Sequence, residues 1–203
     1  PSHHVSDGPE SQHQPVENIS WNMASEFCCR LTAMVERTEG STRGGPVRLP
    51  TEAEWEYACR AGSDASVLSN EEVISMSWIA DNSGDLPLDG NMMLLACKHN
   101  VGLFNWIVDV LHCRPHPIRL KRHNAWGLYV MLGNVSECCA DWFGEYPEGE
   151  TIDPSGPSSG EHRVMRGGDC GQPTLVCQAP SRGSCEPARQ WERLGVRVAL
   201  GLE

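Results

Sequence analysis

The chain has 203 residues, a length that allows one domain with a substantial core. Its composition is 39% hydrophobic and 21% charged, with a formal net charge of −11. That charge excludes nucleic acid as the natural partner and disfavours an anionic membrane surface, because both need a basic face. No apolar run reaches the roughly 18 residues of a membrane span.

Residues 1–20 are polar and contain His3, His4 and His13, which lack the fixed spacing of a metal site and read as exposed loop. A first helix is predicted from about Asn22 to Arg37. Ala24, Phe27, Cys28, Leu31, Met34 and Val35 recur at three- and four-residue steps, with Asn22 as N-cap and Gly40 after the last turn. A second helix opens at Thr51-Glu52-Ala53-Glu54, a capping box behind Pro50. Trp55, Ala58 and Cys59 form its buried stripe and Gly62 its stop. Glu52, Glu54 and Glu56 suit the positive end of the helix dipole and read as structural, solvated residues.

Residues 63–86 read as loop with one apolar stretch at Trp78-Ile79-Ala80. From 87 to 113 apolar residues crowd together, including Met92, Leu95, Phe104, Trp106 and Val108, as in a buried helix or an apolar flap. The C-terminal third reads as short strands and turns. Arg163–Arg166 leads into Gly167-Gly168, and Val196–Leu200 alternates as a half-buried strand does.

There are ten cysteines and seven tryptophans. Disulfides, a metal site and reduced core thiols all remain open for the cysteines. No CxxC occurs, which speaks against a zinc ribbon or a thioredoxin-like centre.

Five blocks, in order, resemble one family. They are Pro15–Trp21 (PVENISW), Arg48–Gly62 (RLPTEAEWEYACRAG), Asn124–Tyr129 with Gly133–Glu137 (NAWGLY, GNVSE), Arg163–Gly168 (RVMRGG) and Leu194–Leu200 (LGVRVAL). Through them the chain is identified as a divergent member of the formylglycine-generating-enzyme, or sulfatase-modifying-factor, family. The resemblance implies a loop-rich, irregular α+β fold of C-type-lectin-like kind, with two main helices around a small antiparallel sheet. It implies one domain over 1–203 that lacks the family's usual N-terminal strands, since Pro1-Ser2-His3-His4 resembles the segment that follows them. Residues 88–114 read as an insertion between the family-like Asp81-Asn82-Ser83-Gly84 and His116-Pro117.

The family includes copper oxidases, sulfoxide synthases, maturation factors and ligand-binding proteins, so fold alone leaves function open. The family's calcium site, carried over by position, uses the carbonyls of Leu132, Gly133 and Val135 and the carboxylate of Glu137. Its flanking tryptophans are replaced here by Ser136 and Cys138. A second family calcium site would use Asn82.

The family's oxidases hold copper(I) between two cysteines five residues apart, because soft thiolates suit that ion. The second position falls on Cys177, but the first falls on Gln172. Cys170 would have to substitute through a register shift. Cys28 and Cys59 match family disulfide cysteines whose partner positions are Val198 and Arg182 here, so those bridges are not expected.

The leading expectation is a non-catalytic binding or accessory module with a variable C-terminal surface around Gln178, Arg189, Trp191 and Arg193. Its ligand would be a protein or a small molecule. The alternative is a formylglycine-generating oxidase acting on a sulfatase-type peptide.

Overall fold

The computed structural model describes residues 13–40, 44–65, 67–97 and 100–201. Helix α1 spans Trp21–Glu39. It starts one residue before the expected Asn22, because Ser20 is the cap, its hydroxyl accepting from the Met23 N–H at 3.2 Å. Gly40 ends it in the left-handed conformation, φ 76°, returning its N–H to Glu36. Of the expected apolar face only Ala24 and Cys28 are buried, while Phe27 and Met34 are exposed.

Strand β1 (Val47–Arg48) leads into α2 (Glu52–Arg60), which has the expected Thr51–Glu54 capping box. Its left-handed end falls on Ala61, φ 48°, one residue ahead of Gly62. Helix α3 (Asn70–Met76) lies in the segment expected to be loop. It too carries a capping box, Ser69 with Glu72, and buries Val73. The signal was present as Ser-x-x-Glu, but seven residues with so little apolar periodicity hid it.

Helices α4 (Gly90–Ala96) and α5 (Val101–Val110) fall within 88–114. They share a small core of Cys97, Phe104, Val108 and Cys113. Their attachment to the body is polar: Gly90 N–H donates to Asp81 at 3.2 Å and the Asn91 amide to Thr174 at 2.6 Å.

The main sheet contains β2 (Ser136–Trp142), β3 (Arg163–Arg166), β4 (Arg182–Cys185) and β5 (Leu194–Gly195), in the order β4-β3-β2-β5. Its β2–β3 and β3–β4 pairings are antiparallel, whereas β2 and β5 are parallel. The last strand, β6 (Ala199–Leu200), pairs with β1 as a separate ribbon. The expected strand over 196–200 is therefore confined to its final two residues.

Alternation along β2 divides the interior in two. Cys139 joins Trp55, Val164 and Cys177 on the α2 side. Cys138 joins Cys28, Cys185 and Leu194 on the α1 side. Arg163 bridges the α1 side, its guanidinium 3.8 Å from the Trp21 ring centre and 3.5 Å from that of Trp142.

Candidate functional site

The α2 side of the sheet holds a buried lattice of charge. Glu137 on β2 and Arg166 on β3 are register partners and so project together toward α2. Trp55 lies between them, donating its indole N–H to Glu137 at 2.7 Å with its ring 5.2 Å from the Arg166 guanidinium. Arg166 donates to Glu52 at 2.6 Å, and Arg182 donates to both oxygens of Glu52 at 2.6 and 2.7 Å. Glu52 is thus buried and paired, contrary to the solvated position expected of it, because two arginines replace its water.

The same lattice decides the fit of calcium at Glu137. Both carboxylate oxygens accept from Arg197, at 2.9 and 2.8 Å, and one also accepts from Trp55. Leu132, Gly133 and Val135 lie in the buried turn leading into β2; a Cβ on Gly133 would fall 2.2 Å from the Trp78 carbonyl. Calcium needs six to eight oxygen ligands. Both Glu137 oxygens are already taken by protein donors, so an ion using this carboxylate would have to displace Arg197. Asn82 also spends its side chain internally, accepting from Ile79 N–H and donating to the Ile74 and Ser77 carbonyls. Among the described residues no group of three or more His, Cys, Asp or Glu could hold a metal ion. His3 and His4 lie outside the described residues.

The Gly167-Gly168 turn brings together the two positions of the oxidase pattern. Both glycines are left-handed, at φ 90° and 72°. A Cβ on Gly168 would sit 2.6 Å from the Cys177 sulfur and 2.8 Å from the Gln172 side-chain oxygen. Gln172 and Cys177 therefore converge on Gly168, and one of the two is an amide. Cys170 is buried within electrostatic reach of Asp169, Arg193 and Cys113, and Cys177 within reach of Asp169 and Asp81. Burial pushes both thiols well above the ordinary cysteine range, so neither is a ready thiolate. One thiol beside a primary amide does not fit copper(I), which takes soft thiolates.

All ten cysteines are free. Cys138 fills one lost tryptophan position inside the α1-side core. Ser136, at the other, borders a small cavity of about 60 Å³ with Met165, Gly168 and Gln172.

The expected C-terminal surface is only partly assembled. Gln178 is buried, donating to the Thr174 and Leu68 carbonyls and accepting from Leu68 N–H. Arg193, left-handed at φ 63°, turns inward to Asp109 at 3.2 Å and the Cys113 carbonyl at 3.4 Å. Arg189 stacks on Trp191 at 4.5 Å, and Trp191 itself packs against the α1-side core.

A larger concavity, which the sequence did not reveal, lies between α2 and the 144–157 loop. This cleft has a volume of about 1000 Å³. Tyr57, Tyr146 and Ile152 give it exposed apolar surface, and Arg60, Arg182 and Glu145 its charge. Its signal was a solvent-facing Tyr57 on α2 opposite a proline- and glycine-rich loop, features distant in sequence.

This fold and this glycine-turn site define a C-type-lectin-like α+β protein of the sulfatase-modifying type. The sequence matches the Sulfatase-modifying factor enzyme 1-like domain (FGE-sulfatase) over residues 2–202, and the chain belongs to that family. It is 32% identical over 194 residues to the formylglycine-generating enzyme of Streptomyces coelicolor, covering 92% of this chain and 52% of that protein. It is 29% identical to the mouse (Mus musculus) formylglycine-generating enzyme, covering 95% of this chain and 47% of that one. The chain thus spans about half the length of these curated relatives.

Among solved structures it is similar to Treponema denticola variable protein 1, with a TM-score of 0.74 and 26% identity, covering 98% of this chain and 76% of that one. PvdO from Pseudomonas aeruginosa shares the fold, with a TM-score of 0.64 and 24% identity, covering 97% of this chain and 64% of that one. No helix among the described residues is long and apolar enough to cross a membrane.

Proposed function

We propose that this chain is a non-catalytic binding module of the FGE-sulfatase family. The observation that supports it is the convergence of Gln172, instead of a second cysteine, with Cys177 on Gly168. An amide cannot supply a thiolate, so Cys177 is left as the single soft ligand at this turn. The likeness to a variable protein points the same way. The binding face in this reading is the cleft between α2 and the 144–157 loop, where Tyr57 and Tyr146 offer aromatic surface. Its ligand is a protein segment or a small molecule.

A second reading is a formylglycine-generating oxidase that converts a sulfatase cysteine to formylglycine with copper and oxygen. It is favoured by the curated relatives of that name.

Copper(I) titration of the reduced protein against a competing chelator separates the two, alongside incubation with a cysteine-containing sulfatase peptide. We expect weak copper binding, unchanged in Cys177→Ser, and no aldehyde in the peptide by mass spectrometry. Tight one-to-one binding lost in that variant, with aldehyde formed, would establish the oxidase and end the binding-module reading.

A further inference from the structure

Helix α5 is apolar on nearly every side. Apart from Gly102, its residues Val101–Val110 include only Asn105 and Asp109 as non-apolar side chains. A helix of that composition is ordinarily buried all round. Here Phe104 and Val108 fill the hairpin's own core, and the other side is uncovered. Leu103, Trp106 and Val110 fall at i, i+3 and i+7 on one stripe, and they are 43%, 61% and 52% exposed. On α4, Met92 and Leu95 share a face three residues apart and are also exposed.

We infer that a second copy of this chain covers this hairpin, α5 packing antiparallel against α5 of the copy. The proposal concerns the hairpin alone and stands apart from the function proposed for the cleft. Area is the first argument. These five residues expose on the order of 500 Å² of apolar surface, well over half of the roughly 800 Å² that each side of a standard interface buries.

Charge is the second. Within α4 and α5 the one ionisable side chain is Asp109, already bonded to Arg193 at 3.2 Å. Two copies can therefore meet here without burying like charge, although the chain as a whole carries −11. A partner recognised by charge would find nothing to pair with on this face.

Shape is the third. Gly102 leaves a notch in which an added Cβ would meet only Asn100 Oδ1, at 3.4 Å. In an antiparallel pair centred on Trp106, that notch lies opposite Val110 of the other copy, four residues to either side of the centre. The stripe is then complementary to itself, as a two-fold interface requires. Trp106 sits at the centre, where large aromatics contribute most.

Sedimentation equilibrium of the full chain between about 1 and 100 µM tests this. We expect the wild type to show twice the monomer mass. Trp106→Glu and Leu103→Glu should be monomeric over the same range, a rise of at least ~100-fold in dissociation constant. Their far-UV circular dichroism should be unchanged, because the replaced side chains face solvent in the monomer. If Trp106→Glu unfolds, the milder Val110→Ser reads the same loss. A wild type monomeric throughout, or a dimer persisting in all folded variants, overturns the proposal. Monomeric wild type that binds phosphatidylcholine vesicles also overturns it, assigning the face to a lipid surface.

Discussion

Arg197 grips both oxygens of Glu137, from Nε at 2.9 Å and Nη2 at 2.8 Å, while Trp55 donates to the same carboxylate at 2.7 Å. Arg197 lies between β5 and the two-residue β6, and Trp55 is on α2. One buried carboxylate therefore joins the C-terminus, the second helix and the central strand. The position where the family pattern places a calcium carboxylate is here closed by protein donors.

Removing Arg197 leaves the buried Glu137 carboxylate without its counterpart, whereas removing Glu137 leaves an arginine that still reaches solvent. Arg197→Met should lower stability by about 3–5 kcal/mol and Glu137→Gln by less, read by chemical denaturation. Calcium at millimolar concentration should leave the melting temperature of the wild type unchanged, since a ligand stabilises only the state that binds it. A calcium-dependent rise in melting temperature would show that Arg197 yields to the ion.

Glu52 gives the fold an acid-sensitive point. Burial pushes its carboxyl up, but hydrogen bonds from Arg182 and Arg166 outweigh that and hold it below the usual carboxylate range. With a folded value below the unfolded value of about 4.3, its contribution is complete above that pH. It is lost as pH falls through the lower folded value. Denaturation series from about pH 6 down to pH 2 should show stability declining over this window. In Glu52→Gln the decline should be shallower from a lower starting stability, and an identical slope would assign it to other carboxyls.

The thiols should differ sharply in reactivity. Cys29 is exposed, whereas burial pushes Cys59 up to about 12 and Cys139, Cys170 and Cys177 well above the ordinary range. Iodoacetamide at neutral pH should modify Cys29 first and reach the buried thiols only in denaturant. Peptide mapping by mass spectrometry checks the order, and early modification of Cys177 would show that its site is open.

Gln172→Cys restores the family spacing to Cys177 at a place where both side chains already crowd Gly168. Copper(I) affinity should rise at least ~100-fold over wild type, because a second soft ligand completes the site. The gain should vanish in the double variant with Cys177→Ser. An unchanged affinity would mean that the glycine turn does not hold the two sulfurs within reach of one ion.

Local rules written in consecutive residues were legible before the structure. The Thr51–Glu54 capping box, the left-handed Gly40, the strand before Gly167-Gly168 and the apolar density of 87–113 each express a short-range backbone or periodicity requirement. So did the missing thiolate at Gln172, since residue identity alone decides what can be a soft ligand. Tertiary structure decided which residues share a space. It brought Gln172 and Cys177 onto one glycine, turned Gln178 and Arg193 inward, and paired Glu52 with two arginines more than a hundred positions away. It also divided α5 into one face buried in the hairpin and one left open. Those outcomes depend on desolvation and on packing between distant segments, and no local pattern records either.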